Sequence, residues 1–238
     1  MSGPSARRSG RSREPGPAAG SAPSARSAPR LRFDGRIAGV GTTSGTRVVL
    51  GHWAHSPFGP FSDVMIEDPD GHRTLLAPTR RTAGFIAGTY TFEEVRVVPV
   101  RVRVAGDRWT VAAGSLLDLS FTVGRRGTLG TLLRAIPAAV AARPAWSAVT
   151  DPAARLLMGV HTRGSAGGGR FEWYGAHDLH RITTARTVYR GRDLGSLAPV
   201  DPPVRFGFGS TPRAPSLVRV FTTVRLNGAP GRPGDPVG

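Results

Sequence analysis

The sequence predicts a mainly β fold (a β-rich α+β chain), built as an antiparallel barrel or strongly curved sheet with a helical insertion near residues 128–158. Three observations carry this. Apolar residues recur with period two over most of the chain; 32 glycines and 21 prolines in 238 residues supply turns at short intervals; and only one long stretch shows helical spacing. A chain of this length is commonly one β-rich domain, here expected over residues 31–226.

The elements follow in order. Residues 1–30 contain no aromatic and, after Met1, no aliphatic residue larger than alanine, so they cannot bury enough apolar surface to offset their ordering entropy, and a disordered tail is expected. Arg7-Arg8 is not followed by an apolar segment, so no export signal is expected. Strands are predicted near 36–42 and 46–53. Gly39-Val40-Gly41-Thr42-Thr43-Ser44-Gly45 between them suggests a phosphate loop, but the strand-like Arg47-Val48-Val49-Leu50 follows it and no lysine is present, so a hairpin turn is the better reading. Strands near 62–67 and 73–77 flank Asp68-Pro69-Asp70-Gly71, whose residues are turn formers.

In Glu94–Val104 the apolar parity slips at Val97-Val98-Pro99, which predicts a bent strand with a bulge or edge at the proline. Ala105-Gly106-Asp107 then turns into a strand from Arg108, and Leu117–Val123 alternates strictly. Leu129, Leu132, Leu133, Ile136 and Val140 follow helical spacing, Pro137 predicts a break, and Asp151-Pro152 resembles a helix start. Strands are also predicted near 156–163, 170–174, 180–190 and 203–209. A last one, with Val218, Val220, Val224 and Leu226 among its apolar positions, precedes a second loose segment at 227–238. Short turns between neighbours imply mostly antiparallel pairing. The strand count fits a lipocalin-like barrel with an internal cavity, by analogy of fold alone.

Composition excludes several chemistries. All 32 basic residues are arginine and there is no cysteine. Schiff-base catalysis, any lysine-linked cofactor, thiol nucleophiles and cysteine-ligated metals are therefore ruled out for these residues, and no cofactor is required. The charge is physical even where codon usage favours arginine: residues 1–30 carry +5, residues 31–226 carry +11, and the remainder cancels. Such a field attracts nucleic acid or anionic surfaces nonspecifically. No run of about 18 apolar residues exists, and a cytoplasmic location is expected.

Two stretches concentrate the remaining chemistry. In HWAHSPFGPFSDVMIEDPDGHR, residues 52–73, the turn explains most of the acids, leaving His52, His55, Phe58, Phe61 and Asp63 as candidates at a barrel mouth. In the second, Glu172, Trp173, Tyr174 and His177 join acid, aromatics and imidazole after Gly164–Gly169, a glycine-rich stretch read as a loop. Arg213, after Phe206-Gly207-Phe208-Gly209, is a candidate for anion binding. His52/His55 and His177/His180 have metal-pair spacing, yet residues three apart oppose one another on a strand, so they chelate only from a turn or helix. No G-x-S-x-G elbow is present.

The leading expectation is a noncatalytic protein that binds a small apolar or anionic molecule. The alternatives are an enzyme using His and Asp/Glu in acid–base or metal chemistry, and nucleic-acid binding through the arginines. Composition and spacing leave the oligomeric state open.

Overall fold

In a computed structural model of the chain, residues 29–141, 163–166, 170–207 and 211–226 are described. The predicted tails, apart from Pro29 and Arg30 at the N-terminal end, lie outside these residues, as do Asp151-Pro152 and all but the last residue of the strand predicted near 156–163.

Among the described residues twelve strands form one sheet: β1 (Arg30–Thr42), β2 (Arg47–His55), β3 (Phe61–Glu67), β4 (Arg73–Ala77), β5 (Glu94–Val97), β6 (Val100–Ala105), β7 (Arg108–Ala113), β8 (Leu117–Arg126), β9 (Arg163–Ala166), β10 (Arg170–Tyr189), β11 (Arg192–Ala198) and β12 (Ser216–Arg225). The main order is β5-β4-β3-β2-β1-β11-β10-β8-β7-β6, with β12 also pairing with β1 and β10. The two edge strands, β5 and β6, are consecutive in the chain and separated only by Val98 and Pro99. The bent strand read from the parity slip therefore carries the chain from one edge of the curled sheet to the other.

Every pairing is antiparallel except β4 with β5. These two run parallel because helix α1 (Arg80–Ala87) lies between them in the chain. The sequence reading missed α1. It is short, and its capping box uses a second threonine where glutamate or glutamine usually signals a helix start: Thr79 Oγ1 accepts from the Thr82 amide and Thr82 Oγ1 from the Thr79 amide. The predicted helical insertion starts as expected, with α2 (Thr128–Ala135) and α3 (Ala138–Ala141) separated at Pro137, and the described part of it ends at residue 141.

Three further corrections concern strands. The strands expected near 170–174 and 180–190 are one 20-residue strand, β10, which ends at Tyr189 and absorbs the interruption as a bulge between Ala176 and Asp178. Gly164–Ala166, read as loop, lie in β9 and pair with β10. The strand expected at 203–209 is absent from its described part: residues 199–207 instead run as a strap over the sheet, with Val200, Val204 and Phe206 packed on Val49. Strand β11 was not foreseen.

Period two sorts the side chains into two layers. Ala38 and Val40, Val48 and Leu50, and Val64 and Ile66 point to one face, where they meet Trp109, Val111, Leu119 and Phe121 from the opposite wall in one buried cluster. The inside of the curl is thus filled with side chains, unlike the hollow barrel the lipocalin analogy implied. On the other face of β1–β4, Ile37, Val49, Met65, Leu75 and Ala77 are covered by α1, through Ala83 and Ile86, and by the 199–207 strap. Between these covers and the outer face of the sheet lies a cavity.

Candidate functional site

Adjacent strands place their residues by register. Gly51 on β2 pairs with Asp63 on β3, and Trp53 pairs with Phe61, so Asp63 and Trp53 are diagonal neighbours on the outer face. The Trp53 indole Nε1–H donates to Asp63 Oδ1 at 3.0 Å. A glycine at 51 is what permits this: a Cβ there would lie 2.5 Å from Asp63 Oδ1 and 2.8 Å from Trp53 Nε1. On β10, Glu172 and Tyr174 share a parity, and β12 sets Val224 and Thr222 opposite them. The β1–β12 and β1–β2 pairings bring these strands alongside Asp63.

The result is a cavity of about 60 Å³ beneath α1, bounded by Phe33, Trp53, Phe85, Tyr90, Asp63 and Glu172 among others. Glu172 is 2% exposed and Asp63 1%. Tyr90, in the connection from α1 to β5, donates to Glu172 Oε2 at 2.8 Å, Tyr174 donates to the same oxygen at 3.1 Å, and the two hydroxyls also touch each other. Burial, then the neighbouring Glu172 charge, pushes both tyrosine hydroxyls well up, so they stay protonated donors. Burial raises Asp63 to about 7 despite the Trp53 hydrogen bond, and raises Glu172 to about 6 against the opposing pull of Tyr90, Tyr174 and Arg170. Arg170 stands behind this wall, its guanidinium 4.7 Å from the centre of the Phe85 ring and donating to the Phe85 carbonyl at 2.6 Å.

Two buried polar atoms of the cavity wall, Asp63 Oδ2 and Thr222 Oγ1, have no hydrogen-bond partner among the described residues. Native interiors seldom leave such atoms unpaired, and these two belong to residues that line the same cavity.

The candidates read from sequence therefore divide. Phe61, Asp63, Glu172 and Tyr174, from stretches more than a hundred residues apart, line the same cavity. Phe58 supports it from outside, in ring contact with Phe33, Phe61 and Phe85. The others do not join. His52 has the opposite parity to Asp63 and points to the inner layer, its ring edge-on to Trp109 and its Nδ1 2.8 Å from Ser62 Oγ; burial and Arg36 lower its pKa. The expected barrel mouth of His52, His55, Phe58, Phe61 and Asp63 is thus split between the two faces of the sheet. His55 is 83% exposed, near Asp34. Trp173 alternates away from Glu172 and Tyr174 and packs on Phe171. His177 is buried edge-on to Phe221, and His180 lies 3.0 Å from the Gly124 carbonyl, so neither histidine pair converges. Arg213 pairs with Asp201 at 2.8 Å. No group of three or more metal-ligating side chains is placed to hold an ion among the described residues.

Sequence reasoning missed Tyr90, Trp53, Phe33, Phe85, Thr222 and Gly51. Trp53 had a signal, since it shares parity with Gly51 and the candidate stretch contains it. Tyr90 had none, because the helix that delivers it was not read.

No family model matches the chain, and no curated protein matches it. Among solved structures it is similar to an acetoacetate decarboxylase from Legionella pneumophila, at 9% identity and a TM-score of 0.40, covering 83% of this chain and 85% of that one. It is also similar to an AttH candidate protein from Nitrosomonas europaea, at 10% identity and a TM-score of 0.29, covering 84% of this chain and 52% of that one. Likeness at this level says nothing about chemistry, so the cavity is read from its own residues.

Proposed function

We propose that the protein binds a small, mainly apolar molecule in the cavity beneath α1, through one polar end that meets Asp63 Oδ2 and Thr222 Oγ1. The observation that carries the reading is the pair of buried, unpartnered polar atoms in a cavity walled mostly by rings and aliphatic side chains. At about 12 Å³ for each water-sized position, the space suits roughly five non-hydrogen atoms. An anionic end is disfavoured, because it would share a low-dielectric cavity with Asp63 and Glu172 and force them to remain neutral.

The test is native mass spectrometry of the full chain, with a thermal-shift series of short alcohols, ketones and amines. A single small adduct, or stabilisation by one of these classes, is expected for the wild type and is lost in Val49→Phe, which puts a ring into the cavity. No adduct and no stabilisation by any of them would overturn the reading.

A second reading, proton transfer by Asp63, is favoured by one specific feature: two carboxyls in one cavity hold their protons to about 7 and about 6. It differs in outcome. A bound molecule recovered unchanged after incubation supports binding alone, whereas a product that Asp63→Asn no longer forms supports catalysis.

A further inference from the structure

The cavity wall differs in charge from the chain around it. The protein has 32 arginines against 16 acids, yet the fifteen residues lining this cavity include two carboxyls and no arginine or histidine. Six of the fifteen are aromatic, and ring faces carry the negative end of a quadrupole. The polar side chains that line the cavity with Asp63 are Trp53 on β2, Glu172 and Tyr174 on β10, Thr222 on β12 and Tyr90 beyond α1. None is cationic. Arg170, whose charge acts on Glu172, is occupied by the Phe85 carbonyl and the Thr89 hydroxyl. One oxygen of Asp63 accepts from Trp53, and the other is buried and unpartnered among the described residues.

We infer that the polar end of the bound molecule is a protonated amine: the cavity takes a short alkylammonium ion, its nitrogen donating to Asp63 Oδ2 and Thr222 Oγ1 and its alkyl chain lying against the rings. This rests on the binding reading above and names the ligand class for the same cavity. Three donors on one nitrogen match the two unpartnered acceptors, and the ring faces attract the same charge. A cation also neutralises a buried carboxylate that has no counter-ion in its wall. The amine requires Asp63 ionised, so below about pH 7 its binding must expel the Asp63 proton, and affinity falls as pH drops. A neutral ligand of the same size carries no such requirement.

The test titrates the full chain with n-butylamine, 1-butanol and butyrate by calorimetry at pH 8 and pH 5.5. The expected result is n-butylamine bound at least about tenfold more tightly than 1-butanol at pH 8, a preference that shrinks at pH 5.5, and no binding of butyrate. Asp63→Asn, which keeps an acceptor for Trp53 but carries no charge, is expected to lose the preference for n-butylamine over 1-butanol. The pH comparison on the wild type stands even if that variant does not fold. Binding of 1-butanol equal to or tighter than n-butylamine at pH 8 would overturn this inference and leave the binding reading intact. Failure of all three probes to bind would overturn both.

Discussion

Asp63 is held in the cavity wall by a single donor, the Trp53 indole, and by a backbone register that gives it no cation. Its folded-state proton affinity has a direct consequence for stability. An unfolded aspartate loses its proton near 3.8, while folded Asp63 keeps it to about 7, so between these values the folded state binds the extra proton and stability falls as pH rises. Glu172, raised from 4.5 to about 6, adds to the fall over the lower part of the same window. Denaturant unfolding from pH 4 to pH 8 is expected to show this decline, and Asp63→Asn to remove roughly 2–4 kcal/mol of it. A wild-type profile that rises or stays flat through this range would contradict the burial of an uncompensated carboxyl. Tyr90→Phe is expected to raise Glu172 further and to cost about 1–2 kcal/mol, since Glu172 then keeps one tyrosine donor in place of two. A carboxyl-labelled NMR titration would check the shift.

Among the elements, the strap over 199–207 and the β2–β3 hairpin depend on buried polar contacts. Glu67 is fully buried, with Arg47 Nη2 at 2.8 Å, the Arg205 amide at 2.6 Å and Arg205 Nε at 3.1 Å. Glu67→Gln leaves the buried Arg47 charge unpaired, and a loss of about 3–5 kcal/mol in unfolding free energy is expected from denaturant titration. Gly51→Ala is expected to separate Trp53 from Asp63 and to abolish ligand binding at smaller cost to folding, measured by thermal shift with and without n-butylamine. The legibility of the sequence was greatest at this scale. Alternation placed β8 and β12, the strands expected near 36–42, 46–53, 62–67 and 73–77 fall on β1–β4 with residues 30–35 of β1 unread, and the slip at Val97-Val98-Pro99 located the bend that joins the sheet edges. Alternation also contained the information that Trp173 faces away from Tyr174 and that His52 faces away from Asp63. Grouping these residues by nearness in the chain concealed it. What alternation could not supply was pairing between distant strands: nothing local to Asp63 indicates that β1 and β12 bring Glu172 to the same cavity.

For the molecule as a whole, the acidic cavity and the basic surface are separate features. On the outer face of β6, β7, β8 and β10, Arg101, Arg103 and Arg186 border a groove of about 350 Å³ with Asp118. Contact of this face with nucleic acid remains a proposal resting on charge alone. Its expected signature is binding to duplex DNA of any sequence that drops steeply with salt, and Arg101→Ser with Arg103→Ser is expected to lower the slope of log affinity against log salt by about two. Among the described residues no helix is long and apolar enough to cross a membrane. Because side chains fill the interior of the curled sheet, the proposed ligand site lies on its outside, under α1. This placement is tested most directly by the indole N–H resonances of the ¹⁵N-labelled chain, assigned with Trp53→Phe, during titration with n-butylamine at pH 8. The Trp53 resonance is expected to shift and saturate while that of Trp109, in the core, stays in place. A Trp53 resonance that does not move, or that moves only together with Trp109, would contradict a ligand site beneath α1.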